Sequence, residues 1–367
     1  MKQTDAADLP AATIDIEVAK RFVAEPFSVN LADYCQLNED AAQILAGRED
    51  DLDLNGLTSL SVAVAEALAG NRWGLYLVGM TELTVEVAEV LAKRSRHLFL
   101  AGLKCLSAEV ASALARHKGD LYLSDLRGGR GLKNLSVDAA KAIAEHTGNQ
   151  LHLTSLKELT VDVADALARH KGSQLILNGL TDLSTEVAQA LARHQGAHYY
   201  RKTNDVGAES TDPIPDYKGS LWLSGLNRIS VDAAQAFTEH QGNLYLTGLM
   251  NLSVEAAEAL AGHKGDHLFL CDLKSLSIEA LEALANHKGK LSLRGNEELT
   301  VEVAEVLARH QGWLYLDGLE TISAEAAEVL VACQGNLSLR GLRTLSVEAA
   351  GVLSRKTDIF LPSKFRS

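Results

Sequence analysis

Histidine is the residue type in this chain that is best suited to chemistry, and eight of the twelve histidines recur in one pattern, His-x-Gly. These eight are His117, His146, His170, His194, His240, His263, His287 and His310. A transition-metal site would need cysteine, carboxylate or histidine partners at ligand spacing, and the pattern supplies only one histidine at a time. Each histidine instead follows a predicted helix, where an imidazole can meet the last carbonyls and the negative end of the helix dipole. We therefore expect a structural, metal-free role, and we assign no ligand role to the other four, His97, His152, His198 and His267.

The stretch Arg127-Gly128-Gly129-Arg130-Gly131 superficially suggests a phosphate cradle. It lacks the Gly-Lys-Ser/Thr ending of a nucleotide-binding loop, so we interpret it as part of an inserted mobile loop. The four cysteines are far apart and predict a reduced, structural role; they are Cys35, Cys105, Cys271 and Cys333. No Ser/His/Asp, Cys/His or paired-carboxylate arrangement stands outside the repeated pattern described next. We therefore predict no enzyme, no catalytic residue, no cofactor and no metal.

A repeated segment positions all of these residues, and Leu244 to Asp266, LYLTGLMNLSVEAAEALAGHKGD, is a representative copy. Similar text begins at Leu52, Leu75, Leu98, Leu121, Leu151, Leu175, Leu221, Leu268, Leu291, Leu314 and Leu337. The commonest step is 23 residues, and a fixed period of this size is typical of a stacked solenoid. Within a copy, Leu244 and Leu246 alternate as in a short strand with one buried face, and the segment after Ser253 has helical spacing. Gly248 and Gly265 are expected at turns with positive φ.

The LxLxGLxxLS text resembles the leucine-rich-repeat superfamily over about residues 29 to 361, and the 23-residue length is similar to its bacterial type. The usual Asn of that family is replaced by Leu57, Leu103 and Leu249, and Asn296 alone retains it. The resemblance implies an α/β fold: a right-handed solenoid with a parallel sheet on the concave face and short helices on the convex face. It also implies recognition of another protein by the concave face.

The organisation follows from the repeat boundaries. We predict a tail and capping helix in residues 1–28, one continuous solenoid of about fifteen parallel strands in residues 29–362, and a C-terminal tail in residues 363–367. Two repeats are irregular, at residues 121–150 and 198–220. Counting in steps of 23 from Leu175 places residues 198–200 in a strand slot and a loop after them. The start of the chain has no signal-peptide pattern, and no run of 18 apolar residues occurs, so we expect a cytoplasmic protein without a membrane segment.

The position between the two strand leucines forms a row across the predicted sheet, and nine of its fifteen members are aromatic. The row is Asn30, Asp53, Tyr76, Phe99, Tyr122, His152, Ile176, Tyr199, Trp222, Tyr245, Phe269, Ser292, Tyr315, Ser338 and Phe360. Strands about 4.8 Å apart would bring the rings into a stacked ladder. Two interpretations stay open: a ladder that only stabilises the sheet, or a surface that anchors a partner.

Both irregular stretches, Arg127 to Lys133 and Arg201 to Lys218, should leave the same rim of the sheet and make it locally basic. Neutral insertions remain the alternative. The partner-binding residues that we predict are Tyr122, His152, Tyr199, Trp222, Tyr245, Phe269, Arg127, Arg130, Arg201 and Lys202. The predicted function is a non-enzymatic protein-interaction or scaffold module; an enzyme with its site at residues 196–220 and a purely structural or self-assembling solenoid are the alternatives.

The partner should be another protein with a basic or mixed-charge surface and an acidic segment at the rim. The net charge of −13, from 35 Lys and Arg against 48 Asp and Glu, disfavours nucleic acid. No membrane partner is expected.

Overall fold

The computed structural model describes residues 12–196, 219–272, 276–294 and 299–365. It divides into two compact units, an N-terminal unit of Met1–Leu156 with His170–Ile176 and a C-terminal unit of Lys157–Arg169 with Leu177–Ser367. In each unit, very short strands alternate with helices of two turns, as the repeat predicts. The described strands are β1 (Thr13–Ile14), β2 (Gln36–Leu37), β3 (Leu52–Asp53), β4 (Leu75–Tyr76), β5 (Leu98–Phe99), β6 (Leu121–Tyr122), β7 (Gln150–His152), β8 (Gln174–Ile176), β9 (Ser220–Trp222), β10 (Leu244–Tyr245), β11 (His267–Asp272), β12 (Lys290–Arg294), β13 (Leu314–Tyr315), β14 (Leu337–Ser338) and β15 (Ile359–Phe360).

From Ser61 onward the described α-helices share one sequence pattern, a Ser or Thr followed by an apolar stripe rich in Ala, Val and Leu, whereas the first two follow Asp15 and Asn38. At Ser253 the side-chain oxygen accepts the backbone N–H of Ala256 at 3.2 Å, and the equivalent bond recurs at Ser107 with Val110. This bond satisfies a free N–H at the start of the helix, so the predicted caps are confirmed. The described helices are α1 (Ile16–Ala24), α2 (Glu39–Ala46), α3 (Val62–Ala69), α4 (Val85–Leu91), α5 (Ala108–Leu114), α6 (Val137–Ile143), α7 (Val161–Leu167), α8 (Thr185–Leu191), α9 (Val231–Ala236), α10 (Val254–Ala261), α11 (Ile278–Ala285), α12 (Val301–Leu307), α13 (Ala324–Val331) and α14 (Val347–Leu353).

Thirteen strands, β3 to β15, form one parallel sheet in chain order, and β1 and β2 form a separate parallel pair. The register keeps equivalent leucines opposite one another, for example Leu75 beside Leu98 and Leu314 beside Leu337. These leucines are fully buried between the sheet and the helices. The residues between them point to the other side, which we call the row face.

The first strand slot of the prediction is wrong. Residues Leu31–Asp33 form a 3-10 helix rather than a strand, so Asn30 does not belong to the row. The Asn30 side chain accepts the backbone N–H of Ala32 at 3.3 Å and donates to the Asp33 carboxylate at 2.9 Å. These local hydrogen bonds stabilise a turn in place of an extended backbone.

Another strand slot was assigned to residues 198–200, which lie outside the described residues. The backbone N–H of Leu177, just after β8, donates to the carbonyl of Trp222 at 2.9 Å, and Asn178 accepts the N–H of Ser224 at 2.9 Å. The second bond spans 46 residues, whereas the same bond between Asn55 and Val78 spans 23. This separation is twice the usual one, and the described strand beside β8 is β9.

The glycines of the repeat also differ from the expectation. Positive φ occurs, among the described glycines, at Gly128, Gly131, Gly196 and Gly219; Gly196 is a His-x-Gly glycine, but neither Gly248 nor Gly265 has positive φ. A Cβ on Gly248 would instead run into the backbone carbonyls of Ser224 and Leu226, which belong to the preceding repeat. Glycine is therefore needed because successive repeats approach closely, not because the turn is left-handed.

Candidate functional site

The row residues of the N-terminal unit form a continuous ring stack. Tyr76, Phe99, Tyr122 and His152 stand on β4 to β7, and successive ring centroids are 4.0, 4.0 and 3.9 Å apart with interplanar angles of 7°, 17° and 20°. The rings therefore turn their faces to one another, and only their edges point away from the sheet. Such pairs contribute about 0.5–1.5 kcal/mol each beyond the burial of area.

A network of polar side chains runs along one edge of this stack. The His97 Nδ1 lies 3.0 Å from the Asp120 carboxylate, and the other carboxylate oxygen of Asp120 accepts the N–H of Gln150 at 3.1 Å. The Gln150 side-chain oxygen in turn lies 2.8 Å from His152 Nε2 and 3.5 Å from the Tyr122 hydroxyl. The network fixes these side chains against the ring stack.

Burial controls the protonation of this network. It lowers the pKa of His152 to about 4, against a smaller opposing effect of Asp120, so this imidazole is neutral at pH 7. Burial likewise raises the pKa of Tyr122 well above its ordinary value, so its hydroxyl stays protonated. The stack is therefore uncharged at neutral pH.

The stretch Arg127-Gly-Gly-Arg-Gly is an ordered hairpin rather than the mobile loop that the sequence suggested. The N–H of Leu132 donates to the Leu123 carbonyl at 3.2 Å, and the N–H of Asp125 donates to the Arg130 carbonyl at 3.1 Å. The Asp125 carboxylate accepts the N–H groups of Gly129 at 2.7 Å and Arg130 at 3.1 Å. Gly128 and Gly131 have φ values of 69° and 119°, which favour glycine.

Three side chains of this hairpin, which we define as residues 123–132, point into solvent. Leu126 is 69% exposed, and Arg127 and Arg130 are exposed as well. Within the described ranges neither arginine has an ion-pair partner, whereas many cations of the helix layer pair with the preceding helix, for example Arg116 with Glu89 at 3.4 Å. The only carboxylate of the hairpin, that of Asp125, is occupied by backbone N–H groups. The hairpin therefore presents positive charge beside the row.

The C-terminal unit contains a second ring stack that the sequence did not predict in full. Trp222, Tyr245 and Phe269 stack at 3.6 and 4.0 Å between centroids. Where the row has Ser292, the ring of His267 fills the gap and lies 3.6 Å from Phe269 and 5.0 Å from Tyr315.

The same replacement occurs at the next serine of the row. Where the row has Ser338, Trp313 fills the gap at 5.7 Å from Tyr315 and 5.4 Å from Phe360. The signal was readable in the sequence, because each row serine follows a repeat with an aromatic residue just before its first strand leucine.

The predicted site residues therefore fall into three groups. Tyr122, His152, Arg127 and Arg130 lie together in the N-terminal unit, and Trp222, Tyr245 and Phe269 lie together in the C-terminal unit. His152 and Tyr245 are each only 6% exposed, so they offer little area to a partner. Tyr199, Arg201 and Lys202 lie outside the described residues.

The eight His-x-Gly histidines are buried and lie away from the row face, behind the helix ends. Four of them meet a carbonyl at the end of a helix as expected, but the helix belongs to the preceding repeat: His240 Nδ1 lies 3.1 Å from the Ala192 carbonyl and His310 Nδ1 lies 3.2 Å from that of Ala285, and His194 and His287 make the same contact. The interpretation as a cationic partner of the helix dipole is wrong for seven of them, because burial lowers the pKa; that of His263, for example, falls to about 3.

Among the described residues, no group of three or more His, Cys, Asp and Glu side chains is arranged to hold a metal ion. In the same part of the chain, no helix combines the length and apolar character that a membrane span requires.

Comparison with other proteins gives likeness of fold only. No protein-family model matches the sequence, and a comparison with curated proteins finds no match. Among solved structures, a leucine-rich-repeat protein of Leptospira interrogans is 15% identical, with 96% of this chain and 100% of that chain covered and a TM-score of 0.39. An internalin of Listeria monocytogenes is 15% identical, with 98% and 99% covered and a TM-score of 0.41. The leucine-rich-repeat protein LegL7 of Legionella pneumophila is 16% identical, with 85% and 92% covered and a TM-score of 0.43.

At these identities and TM-scores the likenesses carry no argument about function. The assignment of fold rests on the chain itself, on its 23-residue text and on its thirteen parallel strands, each followed along the chain by a short helix wherever the structure describes both. The chain therefore has the leucine-rich-repeat fold.

Proposed function

We propose that this chain is a non-enzymatic interaction module that binds another protein through the row face of its N-terminal unit and the hairpin of residues 123–132. The observation that carries the proposal is the hairpin. Its backbone is fixed by hydrogen bonds, it exposes Leu126, and it leaves Arg127 and Arg130 without ion-pair partners among the described residues. A preorganised surface loses little conformational freedom on binding, which favours affinity.

The chemistry of the hairpin favours a partner segment that carries carboxylates. Arginine forms bidentate hydrogen bonds with carboxylates, and Leu126 between the strand and Arg127 offers an apolar contact. The polar edge of the ring stack, with His97 and Asp120, adds mixed charge beside it. The net charge of −13 supports a protein partner over nucleic acid and favours basic or mixed charge elsewhere on that partner.

The row of the C-terminal unit, with Trp222, Tyr245 and Phe269, is proposed as a separate contact surface. Tyr199, Arg201 and Lys202 stay proposed partner-binding residues on the sequence alone. So does the division of the chain into a cap at 1–28, a solenoid at 29–362 and a tail at 363–367. A cytoplasmic location also stays a proposal on the sequence alone.

A purely structural role is the second candidate, and the continuous ring stacks favour it. Stacked rings stabilise the sheet whether or not a partner binds, and His267 and Trp313 close gaps that a binding surface would not need closed. The enzyme alternative at residues 196–220 falls largely outside the described residues, and we do not propose it.

The test is a quantitative pull-down from a lysate of the native host with three baits. These are the unmodified chain, the double variant Arg127→Ala/Arg130→Ala, and the control Arg169→Ala/Arg193→Ala. The control also removes two positive charges, but from the helix layer. We expect at least one protein that the first and third baits retain and the hairpin variant loses. Identical recoveries with all three baits would show that the hairpin is not the binding element.

A further inference from the structure

The buried histidines belong to a longer column with one residue from each repeat. The same slot, after the helix and two residues before the conserved glycine where one is present, holds Asn71, Arg94, Cys333 and Lys356 in other repeats. Each of these side chains can donate a hydrogen bond, and each meets a carbonyl of the preceding repeat: Asn71 that of Arg48 at 3.3 Å, Cys333 that of His310 at 3.4 Å. In these repeats a hydrogen bond from the slot joins one repeat to the next.

The histidines fill this slot without spare room. All eight are between 0% and 4% exposed. Neighbouring rings lie nearly parallel, with centroids 5.6 Å apart for His146 and His170 and 5.8 Å apart for His263 and His287. A Cβ on Gly265 would come within 2.5 Å of the His263 ring, so the glycine of the His-x-Gly pattern forms the wall of the slot.

The hydrogen bonds require neutral rings. His146 Nε2 lies 3.0 Å from the Gly119 carbonyl, which can only accept, so this nitrogen donates. His146 Nδ1 lies 3.3 Å from His170 Nε2 and must then accept the proton of His170. A second proton on His146 would place two N–H groups against each other.

Few charged groups face the column. Asp120 lies near His117 and His146 and favours their charged forms, and Asp266 does the same for His287. Arg94 beside His117 and Lys288 beside His310 act in the opposite direction. The other titratable groups that act on His194 and His263 are histidines, which repel one another once they are charged.

We propose that the histidine column is an acid-sensitive joint, in which protonation opens the packing between the histidine-bearing repeats while the repeats that carry Asn71 or Cys333 in the slot lack this sensitivity. The geometry supplies the coupling: the buried rings stack on one another, and at His146 and His170 one added proton removes the acceptor that the next ring needs.

The direction of the pH effect follows from the two states. A histidine in the unfolded chain has a pKa of about 6.5, and burial lowers the pKa to about 4 in His117, His146 and His287 and to about 3 in His194. The unfolded chain therefore binds the protons more tightly. The stability of the joint is complete above about pH 6.5 and is lost as the pH falls towards 4.

The test compares the melting temperature of the full chain at pH 7.5 and at pH 5 with that of the triple variant His240→Asn/His263→Asn/His287→Asn. Asparagine is the natural occupant of one slot, at Asn71, and it donates without titrating. We expect the acid-induced drop in melting temperature to be clearly smaller in the triple variant. The control His97→Asn removes a histidine that is 41% exposed and should leave the drop unchanged.

A second measurement keeps the proposal testable if the triple variant folds poorly. Nitrogen-15 spectra of the imidazoles in the unmodified chain should show neutral column histidines at every pH at which the protein is folded. An equal drop in melting temperature in variant and unmodified chain would overturn the proposal, and so would column histidines that titrate near their ordinary pKa within the folded protein.

Discussion

Residues at the helix ends show how closely the repeats approach one another. Glycine follows each column histidine because a side chain there would run into the preceding repeat: a Cβ on Gly265 would meet both the Gly242 carbonyl and the His263 ring. Gly351 is different, because it lies in α14 and a Cβ there would meet nothing within 4 Å. The two glycines make a matched pair for testing the packing.

We predict opposite effects of alanine at these two positions. Gly265→Ala should lower the free energy of unfolding by about 1–3 kcal/mol, because the surroundings must shift to admit the methyl group. Gly351→Ala should raise it by up to about 1 kcal/mol, because alanine favours a helix and nothing obstructs it. Urea unfolding at pH 7.5 measures both, and a stabilising Gly265→Ala would show that the close approach is not real.

Residue roles were predictable from the sequence where they depend on the local chain. Ser253 as a helix cap was correct because its partner, Ala256, is three residues away. The roles of Gly248 and His263 were misassigned because their contacts lie in another repeat, about 23 residues away along the chain. The aromatic row was predictable by counting, but its burial was not, because the filling of gaps by His267 and Trp313 depends on side chains of neighbouring strands.

Strands of the row face contact one another through their aromatic and histidine rings. His267 on β11 contacts Phe269 of its own strand and Tyr315 on β13, and its Nε2 lies 2.7 Å from the Ser292 hydroxyl on β12. Trp222 stacks on Tyr245 at 3.6 Å. Truncating Trp222 should therefore cost stability as well as any binding, so it is a poor probe of binding alone.

His267→Ala should interrupt the ring stack of the C-terminal unit. It removes two aromatic contacts and one hydrogen bond, and we expect a loss of about 1–3 kcal/mol in the free energy of unfolding. The control His97→Ala removes a half-exposed ring that has two edge-on aromatic contacts and a contact with Asp120, and it should cost less than about 1 kcal/mol. Equal losses in the two variants would contradict the role assigned to His267.

The hairpin of residues 123–132 should depend on one carboxylate. Asp125→Ala removes the acceptor of the Gly129 and Arg130 N–H groups, and we expect their amide hydrogens to exchange at least about tenfold faster. The amide of Leu77, just after β4, donates to the Phe99 carbonyl; it serves as the control and should keep its protection. Unchanged exchange at Gly129 and Arg130 would mean that the hairpin is held by other contacts.

The elements themselves were predictable wherever the 23-residue text is regular. The strand predicted at residues 198–200 lies outside the described residues, and the bond of Leu177 with Trp222 shows that β9 is the described strand beside β8. The order of the hairpin was not predicted, because it depends on the contacts of Asp125, three residues after the row position.

The helix layer and the hairpin differ in whether their positive charges are paired with carboxylates. Cations of the helix layer pair with carboxylates of the preceding helix, as Arg309 does with Glu282 at 3.0 Å and Arg355 with Glu328 at 2.8 Å. The hairpin arginines have no such partner among the described residues, in a chain of net charge −13. An acidic protein that keeps a fixed basic element beside its row face has a surface suited to a carboxylate-bearing partner.

The most direct test of the proposed function is the affinity of the purified chain for the partner that the pull-down recovers, measured by calorimetry. Arg127→Ala/Arg130→Ala should raise the dissociation constant at least about tenfold, a loss of about 1.4 kcal/mol, without changing the melting temperature. Arg169→Ala/Arg193→Ala should change it less than about twofold, because those charges lie on the helix layer. A hairpin variant that binds as tightly as the unmodified chain would contradict the account.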